Sequence, residues 1–124
     1  MVKGLATVIY PVTDLDRAKT WYAKAFGQAP YFDQPFYVGF NIAGYELGLD
    51  PNQSAAAVGS GGGGVAYWRV NEITGAVQHF VSAGAVEVSP IQDVGDGIKV
   101  ATVADLFGNH IGLIENPHFT LPKE

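Results

Sequence analysis

Few side chains in this 124-residue chain could do chemistry. Glu46 offers a carboxylate inside the apolar stretch ELGLD, and it would serve as a general base if burial raised its pKa. Arg69 offers a planar guanidinium that can clamp a carboxylate or a phosphate with two parallel hydrogen bonds. Of the three histidines, His79 falls in a helical pattern and His118 near the C-terminal end, which leaves His110 in a strand pattern. Glu46 and His110 together could hold a divalent cation, although catalytic zinc normally keeps three protein ligands. Against these readings, Glu46 and Arg69 could pair with each other or face solvent, because charged residues are seldom buried alone. His110 could equally be a polar wall residue near a turn. With no cysteine in the chain, a disulfide framework, a thiolate metal site and a Cys nucleophile are excluded.

Side chains alternate along a strand, so neighbours of these groups can be assigned to faces. Leu5, Thr7 and Ile9 share one face of the first strand, and Glu46, Gly48 and Asp50 share one face of the fourth. Tyr67 and Arg69 lie on the face of Val65, and His110 and Ile114 flank Gly112. Phe36 and Tyr37 sit where the third strand begins. The expected ligand-lining set is therefore Thr7, Ile9, Phe36, Tyr37, Glu46, Tyr67, Arg69 and His110. Aromatic and apolar groups with a few polar ones are what small-molecule sites are made of. Trp21, Tyr22 and Trp68 have the spacing of a helix–sheet interface and are assigned to the core.

The elements that must position these residues follow one order twice. Residues 3–10 read as a strand and 15–26 as a helix. Thr13 or Asp14 is placed to cap that helix, Ala18, Trp21, Tyr22, Ala25 and Phe26 form its apolar stripe, and Gly27 stops it. Extended segments follow at 29–33, 36–43 and 46–50. The second half gives a strand at 65–70, a helix at 72–83 with Asn71 as a cap, and strands at 86–94, 98–104 and 110–115. Asp96-Gly97 marks a hairpin turn. Between the halves, residues 52–64 are rich in Gly and Ala and read as a connector. The Gly run leads into a strand and not a helix, so it is no phosphate loop. The expected division is 1–51, 52–64, 65–117 and a tail at 118–124, forming one globular domain.

Composition narrows the function classes. Seven Lys and Arg against twelve Asp and Glu give 7 − 12 = −5, which argues against nucleic acid or an anionic membrane as partner. Hydrophobic residues at 48% and charged ones at 15% fit a packed core. The start MVKGLATVIY lacks a signal-peptide layout and no apolar run reaches a membrane span, so a cytoplasmic location is expected.

The doubled order, with PVTDLDRAKTWYAKAFG, ELGLDP and VNEITGAVQHFVSAGAVEVSPIQDVGDGIKVATVADLFGNHIGLIE as its carriers, resembles the vicinal oxygen chelate superfamily. That family includes glyoxalase I, extradiol dioxygenases, fosfomycin-resistance enzymes and bleomycin-resistance proteins. The final segment is similar to the family's DPDGN-x-x-x-L-x-E ending, with Leu106 and Phe107 in place of Pro and Asp. The resemblance implies an α+β fold of two βαβββ modules, curved mixed sheets around a cavity with helices on the outer faces, and a homodimer. It also implies metal-ligand positions on the first and fourth strands of each module, which fall here on Thr7, Glu46, Val65 and Gly112. Val and Gly carry no donor atom. The expected function is thus a glyoxalase/bleomycin-resistance-like protein that binds a small molecule without a metal or other cofactor. The alternative is a glyoxalase-like lyase or isomerase, or a dioxygenase, with a divalent metal at Glu46 and His110.

Overall fold

A computed structural model describes residues 1–52 and 64–118. Most of the expected connector and all but the first residue of the expected tail lie outside the described residues. The chain forms two compact units, Met1–Ser60 with Leu106–Asn109, and Gly61–Asp105 with His110–Glu124.

The first unit contains β1 (Thr7–Pro11), α1 (Leu15–Phe26), β2 (Phe32–Gln34), β3 (Tyr37–Ile42) and β4 (Tyr45–Asp50). Its sheet has the order β1-β4-β3-β2. β1 runs parallel to β4, as the helical crossover between them requires, and the other pairs are antiparallel. The second unit repeats this with β5 (Tyr67–Arg69), α2 (Ile73–Ser82), β6 (Val86–Gly95), β7 (Ile98–Ala104) and β8 (His110–Glu115), in the order β5-β8-β7-β6. Two mixed four-stranded sheets, each with one crossover helix, make this an α+β fold of two βαβββ modules.

Several boundaries move for identifiable reasons. β1 begins at Thr7 rather than residue 3, because its parallel partner β4 begins only at Tyr45 and the ladder opens with Glu46 N–H donating to the Ala6 carbonyl. β5 spans three residues, but bonds from Gly112 N–H to the Ala66 carbonyl and from Val70 N–H to the Ile114 carbonyl extend its pairing at both ends. The cap of α1 is Asp14, whose carboxylate accepts from Arg17 N–H at 3.1 Å. The cap of α2 is Glu72 and not Asn71: its longer side chain folds back to accept from Thr74 and Gly75 N–H. Glu115 on β8 takes the Ile73 N–H at 2.9 Å, so two carboxylates satisfy donors that the first turn leaves open.

Each helix covers one face of its own sheet. Ala18, Trp21, Tyr22 and Ala25 of α1 are buried, together with Val38, Phe40, Leu47 and Leu49 of the sheet. Tyr22 is fully buried and stacks on Tyr10 and Phe26, with Trp21 edge-on at 4.8 Å. In the second unit Ile73, Val77 and Phe80 of α2 are buried, as are Ala101, Val103, Ile111 and Leu113 of its sheet. Asn109, in the segment that belongs to the first unit, is buried and donates through Nδ2 to the Pro11 carbonyl at 2.8 Å. No helix among the described residues is long and apolar enough to cross a membrane.

Candidate functional site

Register decides which side chains meet on the face of the first sheet that α1 leaves uncovered. Thr7 pairs with Glu46 and Ile9 with Gly48 across β1 and β4. Gly39 pairs with Gly48 across β3 and β4, and Phe32 with Gly39 across β2 and β3. Opposed residues point to the same side, so Thr7, Ile9, Glu46 and Phe32 share this face with Tyr37, two residues before Gly39. The intervening residues Val38, Phe40, Leu47 and Leu49 fill the other face.

Glu46 is the centre of this face. Its Oε1 accepts from Thr7 Oγ1 at 2.7 Å and from Tyr37 Oη at 2.9 Å, and its Oε2 accepts from Tyr31 Oη. Glycine makes this arrangement possible. A Cβ on Gly48 would overlap the Tyr37 hydroxyl and stand 2.5 Å from its Cζ, and one on Gly39 would press on Glu46 Oε2 and Tyr31 Cε1, both at 3.0 Å. The two opposed glycines open a trough through which both tyrosines reach the carboxylate.

The three hydroxyls set the charge state. The Tyr31 bond is the largest influence and holds the Glu46 carboxyl below its ordinary pKa; burial opposes it, and Thr7 and Tyr37 add to it. The expectation that burial raises Glu46 into the range of a general base is therefore corrected, because hydrogen bonding to the charged form outweighs desolvation. Tyr37 is raised, first by burial and then by its bond to Glu46, and Tyr31 is raised chiefly by its bond to the same carboxylate. No cation compensates Glu46 among the described residues; Lys19 is engaged with Asp33 at 3.1 Å.

Phe32 extends the site, with its ring centroid 6.4 Å from that of Tyr31, 6.2 Å from Tyr37 and 5.9 Å from Phe36. Tyr31 and Phe36 are 62% and 58% exposed, so these rings present an open aromatic surface beside the carboxylate. Tyr31 and Phe32 were not among the residues expected from the sequence. Tyr31 precedes β2 in a loop, outside any periodic pattern, and is anchored by its N–H to the Gly39 carbonyl at 3.0 Å. The available signal was the pair of strand glycines, which mark a close approach.

In the second unit Tyr67 lies opposite Gly112 and Arg69 opposite Ile114. The Tyr67 ring covers Gly112, where a Cβ would lie 2.6 Å from Tyr67 Cδ1. His110 is half-buried and on the Gly112 face of β8; Arg69 is exposed and has no ion-pair partner among the described residues. Each parallel ladder closes with an equivalent bond, Val12 N–H to the Asp50 carbonyl and Val70 N–H to the Ile114 carbonyl. Four residues back from those carbonyls stand Glu46 and His110; two back stand Gly48 and Gly112. Each module thus carries a polar residue and, two positions on, a glycine covered by a tyrosine.

Of the four positions at which the resemblance implies metal ligands, Glu46 supplies a carboxylate and Thr7 a hydroxyl, both already hydrogen-bonded to each other. Val65 and Gly112 supply no donor atom, but the ladder places His110, not Gly112, at the position equivalent to Glu46; no group of three or more His, Asp or Glu is disposed to hold a metal among the described residues.

Paired βαβββ modules, each with a helix on one face and polar and aromatic groups on the other, define the class of fold. Within that class, residues 4–113 match the model of the Glyoxalase/Bleomycin resistance protein/Dioxygenase superfamily, and the chain belongs to it. Among solved structures it is similar to a glyoxalase-related enzyme from Fulvimarina pelagi, with 22% identity, TM-score 0.79, and 98% and 94% of the two chains covered. It is also similar to the genomically encoded fosfomycin resistance protein FosX from Listeria monocytogenes, with 14% identity, TM-score 0.74, and coverage of 95% and 97%. TioX from Micromonospora sp. ML1 matches with 23% identity, TM-score 0.63, and coverage of 90% and 98%. No curated protein matches the chain. At these identities the likeness is one of fold.

Proposed function

We propose that this protein binds a small organic molecule without a metal, on the face of the first sheet centred on Glu46. One observation carries the reading: the Glu46 carboxylate is held by the hydroxyls of Thr7, Tyr31 and Tyr37. Three of its roughly four lone-pair positions are occupied. A divalent cation on Glu46 would displace those donors, and one carboxylate beside one hydroxyl is fewer than the three protein ligands a catalytic metal normally keeps. The residues at the family's ligand positions do not fit the metal, so binding rests on ring contact, burial and a few oriented polar groups. Ile9, Phe36, Tyr37 and Thr7 line this face, while Tyr67, Arg69 and His110 line the equivalent face of the second sheet. The active form is a homodimer, a reading favoured by the exposed Val86, Val88, Ile91 and Val94 along the edge strand β6, because a long apolar edge is normally covered.

The test is elemental analysis of untagged protein, followed by calorimetry against planar aromatic and glycopeptide-like antibiotics, with fosfomycin as a small anionic control. Binding by metal-free protein that is lost in Tyr37→Ala is expected. A stoichiometric divalent ion that supports turnover of a hemithioacetal or a catechol would replace this reading with that of a lyase, isomerase or dioxygenase.

A further inference from the structure

We infer that the Glu46 site selects a ligand bearing an organic cation, an ammonium or guanidinium group attached to an apolar or aromatic body. The inference rests on the metal-free binding reading and adds the charge of the ligand. First, the Glu46 carboxylate has only neutral hydroxyl donors around it, and among the described residues no Lys or Arg pairs with it. Hydroxyls hold a carboxylate in place without cancelling its charge. Second, one acceptor position on Oε2 remains, since that oxygen takes a single bond from Tyr31 while Oε1 takes two. A ligand N–H can occupy it. Third, the rings of Tyr31, Phe36 and Tyr37 gather around that of Phe32, with centroids 6.4, 5.9 and 6.2 Å from it, and the two tyrosines of the group reach the carboxylate. The faces of such rings attract cations and resist anions. An anionic ligand would meet both the fixed negative charge and these ring faces, and would have to turn a hydroxyl away from Glu46 to gain a donor.

The test compares three probes of one shape on the full-length protein in chelator-treated buffer: benzylammonium, benzyl alcohol and benzoate. Benzylammonium is expected to bind with a Kd on the order of 1 mM, as fits a ligand of so few atoms. It should bind about fivefold or more tightly than benzyl alcohol, with benzoate weakest, and the advantage should shrink as salt is raised. Glu46→Gln keeps the shape and removes the charge. It should bring benzylammonium to the level of benzyl alcohol measured on the same variant, whose circular dichroism and cooperative urea unfolding show that the fold still stands. Equal or tighter binding of benzyl alcohol or benzoate overturns the inference, as does a charge preference that survives Glu46→Gln, or binding by none of the three. In the first two cases metal-free binding itself stands; it fails separately, by the appearance of a stoichiometric metal ion in elemental analysis.

Discussion

A single carboxylate draws two glycines and three hydroxyls into one unit, and each member constrains the others. Gly48 has no side chain because Tyr37 occupies that space. Gly48→Ala should therefore cost about 1–3 kcal/mol, the range for forced overpacking. In a Tyr37→Ala background the same change should cost much less, and urea denaturation of the four proteins of this cycle would measure the coupling. Equal costs in both backgrounds would mean that Tyr37 does not fill the trough. The lowered pKa of Glu46 has a pH signature. A carboxyl held below its ordinary value contributes stability above that value, about 4.3 for glutamate, and loses it as pH falls through the lowered folded value. The stability gap between wild type and Glu46→Gln should therefore be widest near neutrality and close in acid. A gap that widens below pH 4 would contradict the hydroxyl cluster.

At the scale of elements, turns and caps fix where strands and helices begin. The β3–β4 hairpin turns at Ala43 and Gly44 with φ of 52° and 96°. Positive φ at both central residues is the twist-matched hairpin turn, and Ala is a poor residue for the first of them. Ala43→Asn should stabilise the protein by about 0.5–1 kcal/mol, read as a rise in Tm of a few degrees. The β6–β7 turn already has Asp96 and Gly97, at 55° and 79°, as Asp-Gly spacing in the sequence led one to expect. Loss of the cap at α1 runs the other way. Asp14→Ala removes the acceptor of Arg17 N–H and should cost about 1 kcal/mol in chemical denaturation. The segments α1, β7 and β8 were legible to the residue, because an apolar stripe bounded by Asp and Gly, or an alternating run bounded by turn residues, specifies its own ends. The shortening of β1 was not, since a strand ends where its partner ends, and the partner lies some forty residues away.

At the scale of the whole molecule, the repeated module is what the protein shares with its superfamily. The two ladders place Glu46 and His110 at equivalent positions, and each is followed by a tyrosine-covered glycine. If the protein functions as a homodimer, sedimentation should give twice the 13.1 kDa chain mass. A charged residue at the exposed Ile91 of β6 should shift that equilibrium towards monomer. A monomer at all concentrations would remove the dimer from the proposal without touching the Glu46 site.

Local chemistry along the chain was enough to determine the order of elements, the two-module fold and the want of donor atoms at Val65 and Gly112, because periodicity, turn residues and side-chain composition are properties of neighbouring positions. It also brought Glu46, Thr7 and Tyr37 forward as candidates, and the structure places these three side chains in contact. Only the tertiary structure decided the state of that site. Burial alone argues for a raised Glu46 pKa; the opposite direction follows from hydroxyls that arrive from three separate segments, one of them a loop residue reaching across two opposed glycines. Such a contact has no period and no spacing, so it becomes visible only when register brings the strands together.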